Sequence, residues 1–81
     1  MTKLEKYAHK YLYYKLKEIA LDIYKYGQEN KNAEMYVSKQ EFSVIKKDYI
    51  DLFNQEGFNE FINYCNRNTR LKNISYVLEN L

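Results

Sequence analysis

The 81-residue chain has no proline, no tryptophan, two glycines, one cysteine and one histidine. Without proline and with so little glycine it is neither collagen-like, nor linker-rich, nor a turn-rich β fold. One cysteine cannot close a disulfide within the chain, and small secreted domains usually depend on such staples, so a reducing, cytoplasmic setting is expected. One Cys and one His supply too few ligands for a zinc site, and no metal or cofactor is expected. No apolar run approaches the ~20 residues that span a bilayer, so no membrane partner is expected. The opening MTKLEKYAHKY has charge but no apolar stretch, so no signal peptide is expected.

What is abundant is Lys, Asn, Tyr and Ile. Thirteen Lys+Arg against eleven Asp+Glu give a net charge of +2. Lys outnumbers Arg eleven to two, and there are ten Tyr and nine Asn. These residues use AT-rich codons, which points to a low-GC bacterium, its phage or a plasmid. Leu, Ile, Val and Phe together exceed the ~20% below which chains stay disordered. A domain of this size buries only about 60% of the surface its unfolded chain exposes, so its core is thin. The expected class is all-α, a single domain made of a small bundle of three to four helices.

The first helix is the clearest. Thr2 and Glu5 have the spacing of a capping box. Apolar residues then recur with helical period from Leu4 to Ile23, and Gly27 stands where a left-handed residue would end the helix. This predicts a long N-terminal helix over 3–26, its core face around Leu4, Ala8, Leu12, Ile19 and Ile23. A polar connector follows. Met35-Tyr36-Val37 reads as a short extended piece or the lead-in to a second helix. Ser38 and Glu41 form another capping-box pattern, predicting a helix over 39–56 closed by Gly57. Helices over 58–66 and 70–80 complete the chain, although Ile74–Val77 is also compatible with a strand.

Two surfaces are candidate binding sites. Opposite the expected core face of the first helix lie Lys6, Lys10, Tyr13, Lys17 and Tyr24. Six of the ten Tyr fall in this helix, which carries six Lys against three acids. A helix apolar on more than one side is usually covered on more than one side, so a protein partner or a homodimer is expected here. The competing readings are a solvated face in a Lys- and Tyr-rich chain, or a nucleic-acid surface in which Lys grips phosphate and Tyr stacks on bases. The second surface is Asn59, Asn63, Asn66 and Arg70, which share one face if the third helix runs that far. Asn and Arg can each make two hydrogen bonds to a base edge, so this is an alternative nucleic-acid face. As the second half of a helix–turn–helix it fits poorly, because Phe53 and Asn63 stand where that motif takes Ala and an aliphatic residue. A solvated Asn-rich face is the plainer reading.

From Ser38 onward, the order Glu41, Ile45, Phe61-Ile62, Cys65, Asn68 and Ile74-Ser75-Tyr76-Val77 resembles the C-terminal helical module of DnaD-like replication proteins. The departures are Cys65 in place of an Ala and the lack of the final Trp. The resemblance implies contact with DNA or a replication partner through the C-terminal end.

Catalytic groupings are missing from the pattern. Cys65 lies on an apolar stripe and reads as a core residue. His9 has no nucleophile placed near it, and Asp48 and Asp51 read as surface charge. The isolated glycines make no phosphate loop. The expectation is a non-enzymatic binding protein, of mobile-element origin, that docks on a protein and regulates or inhibits it, such as a nucleic-acid-handling host machine. A DNA- or RNA-binding module and a structural or immunity-type bundle are the alternatives.

Overall fold

A computed structural model describes residues 2–81. It contains α1 (Lys3–Gln28), α2 (Asn32–Arg67), a single 3-10 turn (Leu71–Asn73) and α3 (Ser75–Glu79), with no strand among the described residues. The all-α bundle with one long N-terminal helix is thus observed, and Ser75–Glu79 is helical.

α1 starts as its sequence dictates. The Glu5 amide donates to Thr2 Oγ1 at 3.1 Å, and the Thr2 amide donates to Glu5 Oε1 at 3.4 Å. Its end differs from expectation. Gly27 stays within the helix, and Asn30 takes the left-handed conformation at φ 57°. The Lys31 amide then donates to the Tyr26 carbonyl at 2.9 Å and the Asn30 amide to Gly27 at 3.3 Å, the paired bonds that close a helix on a left-handed residue. Asn is the non-glycine residue that best tolerates this region.

α2 starts at Asn32, seven residues earlier than the 39–56 helix expected from the Ser38–Glu41 pattern. Met35-Tyr36-Val37 is therefore helical, and Ser38 is buried inside the helix rather than capping it. The break also lies elsewhere than at Gly57. Asn54, at φ 64° and ψ 174°, divides α2 into a first arm (32–53) and a second arm (55–67). Its Oδ1 accepts the Gly57 amide at 3.1 Å and so caps the second arm. Gly57 serves packing instead: a Cβ there would lie 3.4 Å from Tyr49 Cε1 and 3.6 Å from Phe53 Cβ, where the two arms meet.

The first arm runs antiparallel to α1, as the His9–Tyr49 and Gly27–Met35 contacts show. The second arm returns along α1, placing Phe61 edge-on to Tyr13 and Phe58 edge-on to Phe42. The core comes from all three: Leu16, Ile19, Ala20 and Ile23 from α1, Phe42 and Tyr49 from the first arm, Phe58, Phe61 and Cys65 from the second. Full burial of each of the Leu, Ile and Phe side chains among these contributes about 1.5–3 kcal/mol.

The second arm stops at Arg67, where Asn68 Oδ1 accepts the Arg70 amide at 2.9 Å and the Leu71 amide at 3.1 Å. The tail then folds back and buries Leu71 and Leu78 completely. Lys46 fastens it. Its Nζ donates to the Glu79 carbonyl at 2.7 Å and to Leu81 at 2.9 Å, and lies 4.9 Å from the Phe58 ring centre. The predicted 70–80 helix is accordingly split into the 3-10 turn and α3. The whole measures 42 × 23 × 18 Å.

Candidate functional site

The sequence-predicted basic and aromatic residues of α1 share one side, but that side is not opposite the core. It borders the second arm. Tyr13 is half-buried against Phe61, Tyr49 and Tyr64. Burial, then the neighbouring Tyr64, pushes its hydroxyl above the ordinary tyrosine range. Lys17, also half-buried, extends over the second arm, with Nζ 4.9 Å from the Tyr64 ring centre and 5.8 Å from Tyr13. Such a contact contributes about 0.5–1 kcal/mol at partly exposed sites, so Lys17 has a structural task as well as a surface charge. Lys6 and Lys10 are exposed. Lys10, Tyr13 and Lys17 line one shallow hollow together with His9 and Tyr14.

Tyr24 is half-buried and stands apart from that hollow, in a cleft where α1 meets Arg70. This separates the second predicted face into two parts. Asn59, Asn63 and Asn66 are exposed along the second arm, with Asn59 accepting a hydrogen bond from Gln55 at 3.0 Å. Arg70 lies beyond the end of the arm and does not continue the stripe. A helix–turn–helix reading also loses its turn, since Gly57 is helical.

Sequence reasoning missed the aromatics that are outermost. Leu4, expected in the core, is 79% exposed, and Tyr7, Tyr11 and Tyr14 are exposed at 66%, 60% and 61%. Their spacing of i, i+3, i+7 and i+10 marks a single helical stripe and could have been read as one. Taking Leu4 and Ala8 into the expected core face turned that face toward the stripe and left out the completely buried Leu16.

His9 and Tyr49 share a hydrogen bond of 2.8 Å between Nε2 and the phenol. The bond satisfies the one polar atom of a tyrosine whose ring is buried, and burial raises the Tyr49 hydroxyl above its usual range. Among the described residues no buried side-chain polar atom lacks a partner. Cys65 is buried among apolar neighbours, which pushes its thiol up to about 11, the reverse of what a nucleophilic thiolate needs. No group of three or more His, Cys, Asp or Glu among the described residues is placed to hold a metal, and none of the described helices is long and apolar enough to cross a membrane.

The chain matches no family model, no curated protein and no solved structure. None of these comparisons supports the DnaD-like pattern from Ser38 onward.

Proposed function

We propose that the chain is a small, non-catalytic binding protein that docks on a protein partner through the outer edge of α1 and regulates it. Exposed Tyr7 and Tyr14 beside Lys6, Lys10 and the Lys17 hollow carry this reading. Large rigid aromatics left mostly in water contribute little to the fold. Buried against a partner, they give contact area at little entropic loss, with Lys at the rim to orient it. An acidic protein surface fits this edge. The AT-rich composition and small size support a mobile-element product that inhibits a host machine.

The test is stoichiometric co-purification from the native host, comparing the wild type with Tyr7→Ala/Tyr14→Ala. A partner retained by the wild type and lost by the variant is expected. A partner held equally by both would sink the proposed site. Direct nucleic-acid binding through the same hollow, with Lys10 and Lys17 beside Tyr13 and Tyr14, is the other outcome. It would show as a gel shift at ~50 mM salt that weakens steeply as salt rises.

A further inference from the structure

The hairpin of α1 and the first arm has two sides, and the second arm and tail cover only one. Two hollows run along the other side. One is lined by Asp48 and Asp51 with Tyr11 and Leu52, the other by Asp22, Glu34 and Glu41 with Val37 and Ser38, and neither has a lining residue from the second arm or the tail. Five carboxylates thus line the two hollows and no Lys or Arg does, in a chain with thirteen Lys+Arg against eleven Asp+Glu. Among the described residues none of the five is in an ion pair. Asp51 also borders Lys46 and Lys47 in a hollow toward the tail, but it pairs with neither. Lys15, on the same side of α1, is already held by Glu18 at 3.9 Å and lies over the Tyr11 ring. A merely solvated surface intersperses its signs. Gathering one sign here, with Asp48 and Asp51 three residues apart on one helix, works against the free molecule through repulsion.

We infer that this side is a docking groove for a basic amphipathic helix of another protein, which sets Lys or Arg against the carboxylates and apolar residues against Val37, Val44 and Leu52. The groove is separate from the Lys10–Tyr14 edge of α1, so it stands or falls independently of the partner proposed above. With both surfaces occupied, the chain joins an acidic partner to a basic one.

Three observations select this occupant. The first is sign: the groove repels nucleic acid and anionic membrane and attracts a cation. The second is spacing. Glu34, Glu41 and Asp48 recur every seven residues, as do Val37 and Val44, and all five are exposed. Seven residues is the interval at which packed α-helices meet again, so a helix laid along the first arm encounters a carboxylate and a valine at every second turn. The row from Glu34 to Asp51 is about 26 Å long, roughly five turns of such a helix. The third is Ser38, which lines the acidic hollow and is only 7% exposed. Among the described residues its hydroxyl makes no hydrogen bond. Since no fully buried side-chain polar atom lacks a partner, the part of Ser38 left open is that hydroxyl, facing the hollow. Its oxygen can accept from an ammonium or guanidinium seated there.

The test uses the full chain and a synthetic peptide of about three heptads in which Lys recurs every seven positions beside Leu, followed by fluorescence anisotropy and circular dichroism. The peptide is expected to bind and to gain helicity as it does so. Glu41→Gln with Asp48→Asn, both at exposed positions, should weaken binding about tenfold, the effect of two exposed ion pairs. Val37→Ala with Val44→Ala should weaken it several-fold by removing apolar contact. Tyr7→Ala/Tyr14→Ala should bind the peptide as the wild type does. A folded wild type that leaves the peptide free at several hundred micromolar overturns the proposal, as does equal binding by the Glu41→Gln/Asp48→Asn variant. Binding without a gain in helicity overturns the helical occupant, and so does equal binding of a scrambled peptide with the same composition.

Discussion

Asn54 is the point at which the fold can be tested with one substitution made two ways. Its φ of 64° and ψ of 174° lie in a region that glycine alone occupies freely, and other residues held there are strained by about 1–3 kcal/mol. Part of that strain is offset by the side chain, which accepts the Gly57 amide at 3.1 Å and caps the second arm. Asn54→Gly relieves the strain. Gly at a cap position loses only a few tenths of a kcal/mol relative to Asn, and its freer unfolded chain takes back about 0.4–1 kcal/mol. The net expectation is a variant more stable than the wild type by about 1 kcal/mol. Asn54→Ala keeps the strain and loses the cap, so it should be less stable by about 1 kcal/mol. With 1 kcal/mol equivalent to about 4–8 °C in a domain of this size, the two variants should melt on the order of 10 °C apart, on either side of the wild type. Thermal and urea unfolding followed by circular dichroism measures this, at one fixed low concentration so that self-association does not enter. An Asn54→Gly protein that melts at or below Asn54→Ala would refute the reasoning, because the strain would then be absent.

Two further expectations follow from side chains in the interior. Lys46→Met removes the bonds to the Glu79 and Leu81 carbonyls, lowering stability by about 1–2 kcal/mol; amide exchange in Ser75–Glu79 should accelerate before that of the arms, and unchanged protection there would contradict the fastening role. Cys65, Tyr13 and Tyr49 are all acids that the folded state holds neutral, so their contribution is complete below pH 9 and is lost as pH rises. For Cys65, the loss begins where the unfolded thiol ionises, near 9, and ends at about 11, which amounts to at most about 2–3 kcal/mol. Lys46, held below its ordinary value by burial, works weakly in the opposite sense over the alkaline range. Stability measured across that range should fall for the wild type and be flatter for Cys65→Ala; equal slopes would mean that the thiol is not the group responsible.

What the residues revealed before the structure depended on whether a signal was local. The Thr2–Glu5 box fixes the start of α1 because both partners lie within one turn and nothing distant competes. The Ser38–Glu41 pair has the same spacing, yet the helix runs through it, since Phe42 and Tyr49 bury a face that includes Ser38. Glycine was the misleading letter. Both left-handed positions, 30 and 54, are occupied by Asn, and neither glycine has positive φ. In a chain with nine Asn and two Gly, Asn takes over the reversals. At the candidate surface, Lys6, Lys10, Tyr13 and Lys17 share one side of α1, as their spacing implies, but it is not the side opposite the core. Spacing could not say that the second arm would return along that side and draw Tyr13 and Lys17 into its own packing, because this depends on a bend forty residues away.

That bend also determines what keeps the molecule to itself. The second arm is joined to the first by one non-helical residue, and straightening Asn54 would turn α2 into a rod of ~54 Å, longer than the 42 Å molecule. The surfaces that receive Phe58, Phe61 and Cys65 would be the same on a neighbouring chain. The preference for the chain's own α1 therefore comes from tethering, not from any contact specific to it. A link this short presents the arm at an effective concentration of millimolar or more. Arm exchange between copies then becomes a matter of crowding, negligible in dilute solution and favoured only where the protein itself approaches that density.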